Sequence, residues 1–148
     1  MEALILVEIY ERDLKALKKE IESYADESKL WVIEKQISNS AGNLCLHIIG
    51  NLNHFVGNVL GNTGYIRKRD EEFSQKNIPA KELLEKLDKT IEVVKTTFAS
   101  LKTADLEKEF PLEIMGKRAS TEFWLVHFSC HLSYHLGQIN YHRRLLAA

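Results

Sequence analysis

Cysteine is scarce in this sequence. Only Cys45 and Cys130 occur, both inside apolar helical patterns and without the dense spacing of a disulfide framework. That excludes a disulfide-stapled scaffold and predicts two buried, inert thiols in a reducing cytoplasm. An excess of either charge is lacking too, with a formal net charge of −1. The short basic clusters Arg67-Lys68-Arg69, Lys117-Arg118 and Arg143-Arg144 are isolated or diluted by acidic neighbours, which argues against nucleic acid as a partner. No basic segment opens the chain, and Glu2 and Glu8 interrupt its apolar start, so a signal or transit peptide is not expected. Repeats, low-complexity tracts and interdomain linkers are absent. The 148 residues therefore read as one domain spanning 1–148, long enough for a single core.

Charged residues are missing from Gln36 to Ile66. The stretch nevertheless holds Asn39, Asn43, Asn51, Asn53, Asn58 and two histidines, which would be costly in lipid. It predicts a helix buried by protein, part of it against a second subunit, and hence a homodimer.

Four helical segments make up the predicted fold, an all-α four-helix bundle. The first covers about residues 2 to 25, where Tyr10, Leu14, Leu17, Ile21 and Tyr24 form one apolar face opposite Lys15, Lys18, Lys19 and Glu22. An irregular or extended connection follows around Trp31 to Ile37. The second helix begins near Ser38 to Ser40 and ends near Gly61-Asn62. Thr63 to Pro79 is charged and turn-prone, an expected exposed loop. Pro79 suits the first turn of the third helix, with its stripe of Leu84, Leu87, Ile91, Val94, Phe98 and Leu101. Residues 104 to 119, with Pro111 and Gly116, predict a short hairpin or ordered crossover, and Ser120 caps the fourth helix.

All six histidines lie in two of these helices: His47 and His54 in the second, His127, His131, His135 and His142 in the fourth. Residues four apart on a helix differ by about 40° in direction and about 6 Å along the axis. His131 can therefore share one cation with His135, or with His127 on its other side. A facing helix can add His47 as a third ligand. His54 lies about 10 Å beyond His47, so the two cannot share an ion. His142, beside Arg143 and Arg144, is expected near the surface. Without an ion, the stripe Trp124, His127, His131, Tyr134, Gln138, Tyr141, Leu145 would be a polar, hydrogen-bonded core face.

The fourth helix reads His127-Phe-Ser-Cys-His131-Leu-Ser-Tyr-His135-Leu-Gly137-Gln138-Ile139. It resembles the H-x-x-x-H-x-G-Q signature of the DinB-like metalloprotein superfamily, which includes the YfiT-type hydrolases. The segment Asn43-Leu-Cys-Leu-His47-Ile-Ile-Gly50-Asn51-Leu resembles that family's earlier single-histidine segment. The likeness covers nearly the whole chain in helix order and length. It implies a right-handed four-helix bundle with one long crossover, and a single divalent transition metal (zinc, nickel or iron) on His47, His131 and His135. Gly137 and Gln138 also match the pattern, whereas Leu136 stands where many relatives carry a basic residue. Gly137 would let another backbone approach closely. Gln138 and Asn51 are candidates for hydrogen-bonding a ligand from outside, and Tyr134, His54 and His127 for handling a proton or positioning substrate, with plain packing as the competing role for each.

A dication on three neutral imidazoles keeps its full charge and would acidify bound water or a bound thiol. The resemblance therefore implies either a hydrolase or a thiol transferase with a low-molecular-weight thiol as substrate. The second helix has no carboxylate and the fourth has only Glu122, which leaves hydrolysis without an obvious base and favours thiol transfer. A metal-stabilised bundle acting as a sensor or binding module is the competing class.

Overall fold

The computed structural model describes residues 2–147. Among the described residues six α-helices form: α1 (Ala3–Glu22), α2 (Ala41–Leu52), α3 (Arg69–Ser74), α4 (Ala80–Ser100), α5 (Thr103–Glu107) and α6 (Thr121–Leu146). A 3-10 turn at Glu27–Trp31 precedes α2, and a π-helical stretch, Asn53–Leu60, continues it. No strand forms among the described residues; the hairpin expected before α6 is reduced to the bridges Glu109 to Ser120 and Ile114 to Lys117.

The amphipathic faces account for the packing. Leu6, Tyr10, Leu14, Leu17 and Ile21 of α1 are buried against α4 and α6. On α4 the buried line is Leu83, Leu87, Ile91, Val94 and Phe98, so Leu83 takes the place expected of Leu84, and Leu101 lies beyond the helix end. The Tyr10 hydroxyl donates to the Leu125 carbonyl and ties α1 to α6. On α6 the buried line runs through Leu125, Phe128, Leu132, Ile139 and His142. Tyr134, Tyr141 and Leu145 are exposed, so the stripe read from Trp124 to Leu145 is not the core face.

Every residue of α2 is buried within the one chain. The missing charge over Ala41–Leu52 thus fits burial in the protein's own core. At Asn53 the side-chain amide donates to the Ile49 carbonyl (2.8 Å) and to Thr90 Oγ1 (2.9 Å), and the helix widens into the π stretch there. A side chain inserted into the backbone ladder is an ordinary cause of such a change.

His142 is a correction to the sequence reading. It is buried, takes the Tyr24 hydroxyl at Nδ1 (2.6 Å) and donates Nε2–H to the Val32 carbonyl (2.8 Å). Arg143 and Arg144 still point away, Arg143 pairing with Glu20 at 2.6 Å. Both cysteines are free: Cys45 is buried, which pushes its thiol up to about 12, whereas Cys130 is exposed rather than buried as expected. No helix among the described residues is long and apolar enough to cross a membrane.

Gly137 also departs from expectation. A Cβ built there meets nothing within 4 Å, so no backbone approaches it. Gly137→Ala should therefore stabilise the fold by about 0.5–1 kcal/mol through helix propensity. Urea unfolding checks this, and an unchanged or lowered midpoint would show that the space is used.

Candidate metal centre

Two helices bring the three candidate ligands together. The α2 N-terminus is set by Ser40, whose Oγ accepts from the Asn43 backbone N–H at 3.2 Å, and His47 follows on the face turned to α6. On α6, His131 and His135 share a face one turn apart. Their ring nitrogens converge: His131 Nε2 lies 3.0 Å from His47 Nε2 and 3.1 Å from His135 Nε2. One ligand atom from each of the three lies within 4.8 Å of the others. His127 and His54 stand outside this cluster, His127 against Trp124 and Phe128, His54 against Phe55.

The second nitrogen of each outer histidine decides what the cluster can do. His47 Nδ1 donates to Glu72 Oε1 at 3.0 Å, and His135 Nδ1 donates to Gln138 Oε1 at 2.7 Å. Both rings, when neutral, thus present a bare lone pair at Nε2. His131 Nε2 has at most one proton and cannot satisfy both neighbours. At least one of the two close nitrogen pairs is then left without a proton to share, an arrangement a cation relieves. Nitrogens about 3 Å apart also suit ligands lying about 2.0–2.1 Å from one ion. The residues therefore fit a metal.

The electrostatics point the same way. Burial, reinforced by His135, His47, His127 and Arg67, pushes the His131 imidazole down to about 3. His135 is lowered by burial as well, against the opposing hydrogen bond to Gln138. Neutral imidazole is the form that binds metal.

Glu72 is the functional residue that the sequence reading misses. It lies in the stretch expected to be an exposed loop, yet α3 carries it into the interior at 6% exposure. Asn43 holds α3 in place, donating from Nδ2 to the carbonyls of Glu72 (2.9 Å) and Gln75 (2.8 Å). Arg67 clamps the carboxylate from the other side, Nε to Oε2 and Nη2 to Oε1, both at 2.9 Å. Burial alone would raise the Glu72 pKa, but the hydrogen bonds from His47 and Arg67 and the charge of Arg67 outweigh it and lower it. A carboxylate on the non-ligating nitrogen fixes tautomer and ring orientation and makes the ligand more basic.

Asn51, offered by the sequence as a partner for a ligand, does not take that place. The Nδ1 of His47 is given to Glu72, and Asn51 Oδ1 is buried without a hydrogen-bond partner, one turn beyond His47. Tyr134 sits edge-on to His135 with ring centroids 5.4 Å apart, and is 66% exposed.

Gly50 explains how Glu72 fits against α2. A Cβ at Gly50 would lie 1.9 Å from Glu72 Oε2 and 2.4 Å from its Cδ. Gly50→Ala should push the carboxylate off His47 and weaken metal binding by roughly 10- to 100-fold, as loss of an outer partner does. Competition with a metallochromic chelator measures this, and unchanged affinity would mean that Glu72 does not orient His47.

Fold and cluster together define an all-helical protein with a candidate three-histidine metal centre. Residues 6–148 match the family described as Protein of unknown function (DUF1572), and the chain belongs to that family. Comparison with curated proteins finds no match.

Proposed function

We propose that this protein is a DinB-like metalloenzyme of the thiol-transferase type, with α1, α2, α4 and α6 as the four helices of its bundle. The observation that carries the reading is the convergence of the Nε2 atoms of His47, His131 and His135, with two of the three tautomers set by Glu72 and Gln138. A zinc, nickel or iron dication held there would supply the charge that acidifies a bound thiol or water.

Glu72 favours thiol transfer over hydrolysis. Its Oε1 is shared between His47 and Arg67, and its Oε2 is held by Arg67. With both oxygens engaged and its pKa lowered, this carboxylate is a poor base for drawing a proton from water. A thiol needs less help, because its ordinary pKa of about 8.5 is already near neutrality. The two free thiols suit a reducing cytoplasm, where a low-molecular-weight thiol is abundant.

Titration of the cobalt-loaded protein with such a thiol tests the reading. A sulfur-to-cobalt charge-transfer band, together with consumption of an added electrophile, is the expected result. Turnover of esters or amides without thiol binding would point to a hydrolase. Retained metal with neither response would mean a metal-stabilised, non-catalytic module.

A further inference from the structure

Between the segment 34–39 and the last turns of α6 lies a cavity of about 510 Å3 whose walls include Ile37, Leu44, Leu145 and Leu146. His135 and Gln138 are among its lining residues, so it borders the histidine cluster. The volume falls within the usual range for small-molecule sites, and most of the lining surface is apolar, with Glu34, Lys35, Gln36, Ser38 and Asn39 adding polar groups along the segment. The wall is also preformed. Buried His142 holds the Val32 carbonyl just before the segment, and Ser40 caps α2 just after it. Inside the segment Lys35 adopts a left-handed backbone (φ 55°). That conformation is unfavourable for a lysine, a kind of strain found at functional loops.

We infer that this cavity seats the alkyl or aryl body of a small amphipathic substrate whose polar, metal-directed head reaches the cluster at His135. The inference rests on the proposed metal centre and adds the substrate class: an apolar small molecule rather than a sugar, a nucleotide or a peptide. Affinity should then rise with the length of the apolar tail while the head group stays the same.

Calorimetry on the zinc-loaded protein with acetohydroxamate and octanohydroxamate tests this, since both carry the same metal-binding head. The longer probe should bind more tightly by up to roughly fourfold per methylene buried. Leu145→Asp places a carboxylate on the cavity wall at a position that is 76% exposed, where the fold tolerates it. It should abolish the tail-length gain while leaving acetohydroxamate affinity and zinc content unchanged. Ile37→Asp, on the opposite wall and 41% exposed, is the second variant and should act alike. Equal affinity for the two probes, or a tail-length gain that survives both variants, would overturn the cavity assignment and leave the metal centre standing. Failure to take up zinc would overturn the metal centre and the cavity assignment with it.

Discussion

His131→Ala should reduce the metal content of the purified, untagged protein from about one ion per chain to background. His131 is the middle member of the cluster, in contact with both His47 and His135. Removing it leaves two imidazoles, one from each helix, too few to rival the three or four protein ligands of a stable site. Elemental analysis of the two proteins side by side gives the answer, and equal content would end the metal-centre reading. A second consequence separates loss of a ligand from misfolding. In the metal-free protein, burial holds His131 neutral down to about 3, while the unfolded chain takes up the proton near its ordinary value of about 6.5. The unfolded state therefore binds more protons between these values, so this group's contribution makes the metal-free fold less stable as pH falls through that window. His131→Ala removes that contribution. In chelator-treated samples the variant should lose less stability between neutral pH and about pH 5 than the parent does, read from urea midpoints.

Glu72→Ala should be the most destabilising single change near the site. It leaves the Arg67 guanidinium, whose side chain is only 13% exposed, without its carboxylate. Breaking a buried pair in this way costs about 3–5 kcal/mol. It also frees His47 Nδ1, and metal affinity should drop by roughly 10- to 100-fold. Glu72→Gln separates the two effects, because the amide oxygen still accepts from His47 while the charge is lost. It should keep more metal affinity than Glu72→Ala and lose much of the same stability. The pH dependence follows from the lowered Glu72 pKa. Its stabilisation is present above the ordinary carboxylate range and is lost as pH falls through the lowered value. Urea midpoints and chelator competition on the two variants measure both quantities. Unchanged metal affinity in Glu72→Ala would show that the carboxylate only balances Arg67.

What the sequence makes legible here depends on whether a residue's role is local or long-range. The helices α1 and α4 are readable because their apolar residues recur at helical spacing, and a one-position slip from Leu84 to Leu83 hardly alters that signal. The face of α6 is harder. Both its tyrosines are exposed whereas its histidines are half-buried or buried, yet the stripe through Tyr134 and Tyr141 is as regular as the true buried line through Phe128, Leu132 and Ile139. His131 and His135 can be paired from spacing alone, but choosing His47 over His54 and His135 over His127 required the family resemblance.

Glu72 is hidden in the sequence for a different reason. It sits among Arg67, Lys68, Arg69, Asp70 and Glu71, where a charged tract ordinarily means a solvated surface. Its burial is set by Asn43 and Gly50, residues more than twenty positions away, through contacts that no local pattern encodes. The apolar Phe73 next to it, which packs on His47 with ring centroids 4.9 Å apart, is the local signal that this turn faces inward. The arginine neighbours of His142 suggest exposure, whereas the ring itself turns back to Tyr24 and Val32.

X-ray absorption of the metal-loaded protein tests the three-histidine centre most directly. Three imidazole nitrogens at about 2.0–2.1 Å for zinc, with light-atom scatterers completing the shell, are expected. A shell containing cysteine sulfur, or fewer than three imidazoles, would contradict it.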